Sequence, residues 1–255
     1  MTKMEIGFLI TARLKSTRLP KKVILEIDGR PIISHMIDRL KQSKILDRII
    51  LCTSTNPQDK PLVDIAASEN IDCFVGSEDD VILRLYEASR KFKLDYALNV
   101  TADNPLVSLE FLGEIANKYK ETNADFIRCP ELPIGLGSYG LKIDAMRKVC
   151  EIKKSQATEV WGRYFTDTGL FNVVDIDISP EYIRPDYRLT LDYPEDFEFF
   201  QKIFEHFGEN TCKASTLDII KYLDENQKVV EINKHCQELY KKRWESAGEL
   251  ARWEI

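Results

Sequence analysis

The first 120 residues alternate between short apolar runs and stretches of helical period, and this alternation restricts the fold more than any other feature. Residues 5–11 (EIGFLIT), 48–52 (RIILC), 72–75 (DCFV) and 96–101 (YALNVT) are runs of strand length. Between them, residues 31–41 place Ile32, Ile33, Met36, Ile37 and Leu40 at helical spacing, and Pro31 stands where a first helical turn tolerates proline. Residues 59–70 do the same with Leu62, Ile65 and Ala66, and residues 79–92 with Val81, Ile82, Leu85 and Ala88. Residues 108–119 follow with Leu109, Leu112 and Ile115. This β-α-β-α order predicts an α/β fold, a mostly parallel central sheet with helices on both faces. Ligands of such sheets bind beyond the carboxyl ends of the strands, so the loops after Thr11, Cys52, Val75 and Thr101 are where chemistry is expected.

The second half changes character. Residues 129–140 (CPELPIGLGSYG) hold two prolines and three glycines and read as a mobile loop over a ligand. Strands are predicted over 171–178 and 188–192. An amphipathic helix is predicted over Pro194–Phe207, with acidic residues in its first turn where the helix dipole favours them. Tail helices are predicted over 217–223 and 236–244. No repeat or low-complexity tract divides the chain, so residues 1–255 read as one domain.

Composition narrows the function. Net charge is −6, which disfavours a mainly electrostatic nucleic-acid binder. No apolar run approaches the roughly 18–20 residues that cross a bilayer, and no secretory signal opens the chain, so a cytoplasmic protein that avoids membranes is expected. The six cysteines form no CxxC, which predicts reduced thiols and no structural zinc site. His235 and Cys236 adjoin, but neighbours on a helix point different ways.

Four stretches carry candidate chemistry. Residues 11–23 (TARLKSTRLPKKV) follow the first strand and bring Arg13, Lys15, Arg18, Lys21 and Lys22 together with Ser16 and Thr17. A cationic loop at a strand's carboxyl end suits a polyphosphate. Its simpler reading is a solvated basic loop. GxxxxGK[ST] and GxGxxG are both absent, so this is neither a P-loop nor a dinucleotide fingerprint. In residues 99–105 (NVTADNP), Asp103 ends a strand where an acid meets a phosphate-borne metal; it stands too early to be a plain cap for the helix near Ser108. In residues 188–196 (RLTLDYPED), Asp192 repeats the pattern, as second metal ligand, helix cap, or both. In residues 76–84 (GSEDDVILR), Ser77 is placed to cap the next helix, and Arg84 one turn on reaches a phosphate or lies on the surface.

Together these stretches, with residues 28–40 (DGRPIISHMIDRL), resemble the cytidylyltransferase family of surface-sugar activation, which includes the CMP-KDO and CMP-sialic acid synthetases. The pattern is most similar to its spore coat polysaccharide, SpsF-type branch. The likeness spans nearly all of residues 5–200. It implies a three-layer αβα nucleotidyltransferase (GT-A-like) fold. A nucleotide half would cover about 1–120, a smaller inserted acceptor and dimerisation lobe about 125–185, and C-terminal helices about 194–255. Carried over, the Ala12 and Arg13 backbone would line the pyrimidine pocket. Arg13, Ser16, Arg18 and Lys22 would hold the triphosphate, with Lys22 near the α-phosphate. Gly76 and Ser77 would lie by base or ribose, and Arg84 would face the phosphates. Asp103 and Asp192 would hold Mg²⁺, and Arg13, Lys22 and Asp103 would be the catalytic set. Two departures stand out. Lys21 occupies the place of the family's usual glycine in R-L-P-G-K. The glycine loop reads GLGSYGLK rather than the branch's acidic G-x-D-x-E-x-F, which hints at an anionic acceptor.

The resemblance thus implies transfer of CMP from CTP to an acidic sugar or other small anionic acceptor, with pyrophosphate released, in surface polysaccharide biosynthesis. Arg163, Arg184 and Arg188 are candidates for gripping that acceptor, and a homodimer is expected. The alternatives are a glycosyltransferase using a nucleotide sugar and a non-catalytic nucleotide- or sugar-binding protein.

Overall fold

A computed structural model describes residues 3–248 and 253; the remaining tail positions of the expected C-terminal helices lie outside the described residues. Its centre is a seven-stranded sheet. The strands are β1 (Ile6–Thr11), β4 (Arg48–Ser54), β5 (Asp72–Gly76), β6 (Tyr96–Thr101), β7 (Phe126–Arg128), β8 (Tyr139–Lys142) and β9 (Val173–Asp175). A separate two-stranded hairpin, β2 (Glu26–Ile27) with β3 (Arg30–Pro31), lies between β1 and the first helix. The order across the sheet is β5-β4-β1-β6-β8-β7-β9. β5, β4, β1 and β6 run parallel, and only β8 runs against its neighbours.

The helices are α1 (Ile32–Leu40), α2 (Lys60–Ser68), α3 (Val81–Lys91), α4 (Leu109–Thr122), α5 (Ile143–Ile152), α6 (Gly162–Thr166), α7 (Pro194–Phe207), α8 (Thr216–Glu225), α9 (Gln227–Asn233) and α10 (Cys236–Gly248). They fall into two apolar layers. One cluster joins the sheet to α1, α2, α4, α7 and α8 through residues such as Met36, Leu62, Leu112, Phe200 and Ile219. The other joins it to α3, α5 and α6 through Ile82, Leu85, Met146, Tyr164 and Phe165. The three-layer αβα architecture follows from β1, whose six residues are all buried and alternate between the two faces. Each fully buried Ile, Leu or Phe in these layers contributes roughly 1.5–3 kcal/mol of transfer free energy.

The 129–140 segment is not the mobile lid its composition suggests. Gly135 adopts φ +96°, and a Cβ there would meet the Leu189 carbonyl oxygen at 2.0 Å. Glycine therefore lets this backbone lie directly on residues 188–190, where the Leu189 amide donates to the Ile134 carbonyl at 2.7 Å. The Ser108 amide donates to the Leu136 carbonyl at 2.8 Å, and Leu132, Leu136 and Ser138 are buried. The expected strand over 188–192 is correspondingly absent. This stretch is held by one bridge, Ile134 to Arg188, by the Leu191 amide on the Asp103 carbonyl, and by side chains instead of a ladder.

Candidate active site

The loop after β1 is held at both ends. At the near end the buried Asp59 accepts the Leu14 amide at 2.7 Å and the Ser54 hydroxyl at 2.5 Å, which fixes the loop's departure from the sheet. Ala12 still belongs to the sheet edge, its amide donating to the Cys52 carbonyl at 3.1 Å. Arg13 turns toward the β5 side. It donates to the Glu78 carbonyl at 2.7 Å and to the Glu159 carboxylate at 2.6 Å. Ser16 closes the turn, its hydroxyl accepting the Leu19 amide at 3.4 Å.

At the far end, Arg18 and Lys22 meet the two carboxylates singled out from sequence. The Lys22 ammonium donates to Asp103 and, at 2.8 Å, to Asp192. Arg18 Nη2 donates to the same Asp192 oxygen at 2.5 Å, and its guanidinium lies 5.1 Å over the Tyr193 ring. Asp103 follows β6 and Asp192 precedes α7, and the Leu191 amide donates to the Asp103 carbonyl at 2.8 Å, which fastens the two acids side by side. Thr101 and Asn104 donate to Asp103 Oδ1 and set its orientation. Burial pulls the Lys22 ammonium down, yet the charges of Asp103 and Asp192 outweigh it and its pKa stands above the ordinary lysine value. Burial pushes the Asp192 carboxyl up, yet Lys22, Arg18 and Arg188 prevail and hold it below the usual carboxylate range.

Beneath Asp192 lies a second carboxylate that sequence reading treated only as part of an acidic first turn. Asp196 is fully buried. It accepts the amides of Asp192 and Tyr193 at 2.8 and 2.9 Å, both Arg188 contacts at 2.9 and 3.1 Å, and the Asn233 side chain at 2.9 Å. The helix-cap reading of Asp192 is thereby corrected. The residue at the helix N-cap is Tyr193, Asp196 holds the exposed amides, and the Asp192 carboxylate is free to face Lys22, Arg18 and Arg188.

The structure does not bring the remaining candidates to this centre in the expected way. Arg188 cannot grip an acceptor, because it is 1% exposed and committed to Asp192 and Asp196. Arg84 cannot face phosphates directly: it is fully buried, and its Nη1 donates to the carbonyls of Ser77 and Glu78 at 2.5 and 3.2 Å. It shapes the loop after β5 from below. Gly76 ends that strand with Arg84 Cγ packed against it, so that a Cβ would meet it at 3.1 Å. The Ser77 hydroxyl accepts the Asp80 amide at 3.1 Å, whereas Asp80 itself caps α3 by accepting the Leu83 amide. Arg163 pairs with Asp167 at 2.6 Å on α6, and Arg184 pairs with Asp224 at 2.6 Å on α8. Neither contacts Lys22, Asp103 or Asp192.

Two residues near the centre escaped sequence reading. Tyr240 on α10 packs its ring 5.1 Å from the Arg188 guanidinium, and burial, with the nearby charges of Asp103 and Asp192, pushes its hydroxyl pKa up. Glu159 reaches Arg13 from the segment after α5, the same segment whose Thr158 and Lys153 bind Asp80. Only contacts across about 50 residues or more reveal them. The premise about His235 also changes: it lies in the turn between α9 and α10, off any helix, so its side chain and that of Cys236 converge.

The family model described as cytidylyltransferase matches residues 8–236. An uncharacterized protein of Methanocaldococcus jannaschii is 32% identical over 92% of this chain and 97% of its own length. The spore coat polysaccharide biosynthesis protein SpsF of Bacillus subtilis is 26% identical over 87% of this chain and 95% of its own. Among solved structures, a cytidylyltransferase from Leptospira borgpetersenii superposes with a TM-score of 0.82 at 25% identity, covering 89% of this chain and 97% of that one.

Proposed function

The chain belongs to the cytidylyltransferase family, CTP-dependent nucleotidyltransferases, and from that premise we propose that it transfers CMP from CTP to a small anionic acceptor such as an acidic sugar. The observation that carries the reading is the meeting of Lys22 and Arg18 with Asp103 and Asp192 at the carboxyl ends of β1 and β6. An acceptor oxygen attacks the α-phosphorus in line, the bond from that phosphorus to the bridging oxygen breaks, and pyrophosphate leaves with the charge. Lys22 and Arg18 are the cations within reach of that charge. Arg13 stands at the opposite end of the same loop, so the triphosphate lies along the loop. Preorganised cations of this kind stabilise a transition state without reorganising.

The donor set at the far end fits a hard divalent cation: two carboxylates side by side, one of them kept ionised by its surroundings. Asp103 and Asp192 would hold Mg²⁺, which supplies charge compensation on phosphate oxygens when bound. Asp196 and Arg188 hold Asp192 in place, and Thr101 and Asn104 do the same for Asp103. A hydroxyl acceptor gives up its proton, for which Asp103 is the nearest base; a phosphate acceptor needs none. The acceptor would rest against Tyr240 and Tyr139, on the side away from Arg13. Pairing of two chains through residues 125–185, and service to a surface polysaccharide in the cytoplasm, belong to the same reading.

The test is pyrophosphate release with Mg²⁺ and CTP, ATP, GTP or UTP against 2-keto sugar acids, sugar phosphates and small phosphorylated acids. Release specific to CTP and one acceptor, reduced at least about a hundredfold in Asp103→Asn, supports the proposal. Release of a nucleoside diphosphate from a nucleotide sugar would make it a glycosyltransferase. Binding of CTP without turnover, unaffected by Asp103→Asn, would make it a binding protein.

A further inference from the structure

We propose that Glu195, His235 and Cys236 form a binding site for a zinc-class divalent cation, separate from the Asp103 and Asp192 pair. Among the described residues this is the one group of three carboxylate, imidazole and thiol donors whose ligand atoms all lie within 4.8 Å of one another. Glu195 comes from the first turn of α7, His235 from the turn after α9, and Cys236 from the start of α10.

The spacing is that of a coordination polyhedron. His235 Nε2 lies 3.4 Å from Glu195 Oε1 and 3.6 Å from Cys236 Sγ, and Cys236 Sγ lies 4.0 Å from Glu195 Oε2. Tetrahedral zinc with ordinary bond lengths sets nitrogen–oxygen, nitrogen–sulfur and sulfur–oxygen edges of about 3.4, 3.6 and 3.6 Å. Two edges agree, and a small rotation of the carboxylate brings in the third. Cys236, buried at the start of α10, directs its sulfur at both the imidazole and the carboxylate. The donor mixture also selects the metal. A thiolate and an imidazole favour zinc-class ions, whereas the hard carboxylates of the catalytic pair suit magnesium. Cys236 is buried and His235 is exposed, so the site opens to solvent on one side, with a fourth position for water. On binding, the Cys236 thiol releases its proton to solvent and its sulfur forms the metal bond.

The location gives the site a task. Glu195 is the neighbour of Asp196, which carries the floor beneath Asp192, and Tyr240 follows Cys236 by one helical turn and packs on Arg188. A metal here clamps α10 to α7 and fixes Tyr240 over that floor.

The experiment uses the untagged full-length chain, stripped with a chelator and titrated with Co²⁺ alone. The expected result is one equivalent of Co²⁺ with the visible bands of a tetrahedral site and a thiolate-to-cobalt charge-transfer band, both displaced by Zn²⁺, distinct from any weakly absorbing Co²⁺ at the Asp103 and Asp192 pair. Both signals are lost in Cys236→Ser and in His235→Ala, and both persist in Cys212→Ser and in Asp103→Asn. His235 is exposed, so the His235→Ala variant folds and keeps the test decisive if Cys236→Ser does not. Absence of the charge-transfer band in the wild-type chain at saturating Co²⁺, or its persistence in His235→Ala, overturns the proposal.

Discussion

Arg84 and Arg188 are both buried near the cleft, and opposite environments hold them. Arg188 faces two carboxylates, Asp192 and Asp196, and lies against the rings of Tyr193 and Tyr240 at 5.7 and 5.1 Å. Burial lowers its pKa, but the two acids outweigh burial and raise it above the ordinary value. Arg84 has no acid in hydrogen-bond contact. It donates to two backbone carbonyls, and burial pulls its pKa down to about 10. The first is one member of a charged floor that orients the Asp192 carboxylate. The second holds the backbone of the loop after β5, and its charge meets acids only at a distance, through Asp59 and Asp80. The floor that meets Asp103 and Asp192 is built from mutual charge, whereas Arg84 is held by backbone carbonyls.

The largest expected effect separates these two arginines. Arg188→Met strands the buried Asp196 carboxylate and removes one of three cations from Asp192, and should cost about 3–5 kcal/mol of stability. Arg84→Met removes two hydrogen bonds but also relieves a buried cation, so it should cost only about 1–2 kcal/mol. Urea midpoints of the two variants measure the contrast. Equal losses would show that the comparison is wrong and that Arg84 has a charged partner in solution.

Much of the Arg84 side was legible and much of the Arg188 floor was not, for a physical reason. β6 occupies the six residues that its apolar run marks, and the apolar positions that helical period marks on α1 and α3 are all buried, with Arg39 and Arg84 buried beside them unannounced. Local periodicity carries that information. The Asp103–Asp192 pair is expected from the acids that end the two stretches, but the Leu191–Asp103 backbone contact that fastens them is encoded by no local pattern. The exposed-looking Arg188 is buried because α9 and α10 cover it, through Asn233 and Tyr240. The glycine loop misled because glycine serves mobility and close packing alike, and here Gly135 serves packing. β7 and β8, at three and four residues, are too short to announce a period.

A smaller effect appears only in acid and sharpens the same comparison. Burial raises the Asp192 carboxyl, but Lys22, Arg18 and Arg188 lower it further, so its folded pKa lies below its unfolded one. A group depressed in this way contributes stability that is present above the unfolded value of about 3.9 and is lost as pH falls through the folded value. Asp192→Asn should therefore flatten the acid limb of stability below about pH 4, measured by urea midpoints at stepped pH. Glu110 is depressed as well and keeps its own share of that limb. Arg84→Met should leave the slope as it is, since carbonyls do not titrate. An unchanged slope in Asp192→Asn would mean that the floor's charges are already compensated in the unfolded chain.

The smallest effect concerns the loop between Arg13 and Lys22. Lys21 sits at φ 55°, ψ 26°, in the left-handed region, just before the short helical turn that carries Lys22 to Asp103. This is the position where the family pattern has glycine, and the backbone supplies the reason: the turn needs a left-handed residue whatever the side chain. A side chain there costs roughly 1–2 kcal/mol relative to the right-handed region, and glycine avoids that strain while giving part of it back as unfolded-chain entropy. Lys21→Gly should therefore stabilise the fold by about 0.5 kcal/mol, seen as a small rise in urea midpoint. Lys21→Val should do the reverse, because a β-branched side chain tolerates this conformation worst. If both substitutions instead lowered stability equally, the Lys21 side chain, and not the backbone, would be what holds the turn, and Lys21 would join Arg18 and Lys22 as a positioning cation.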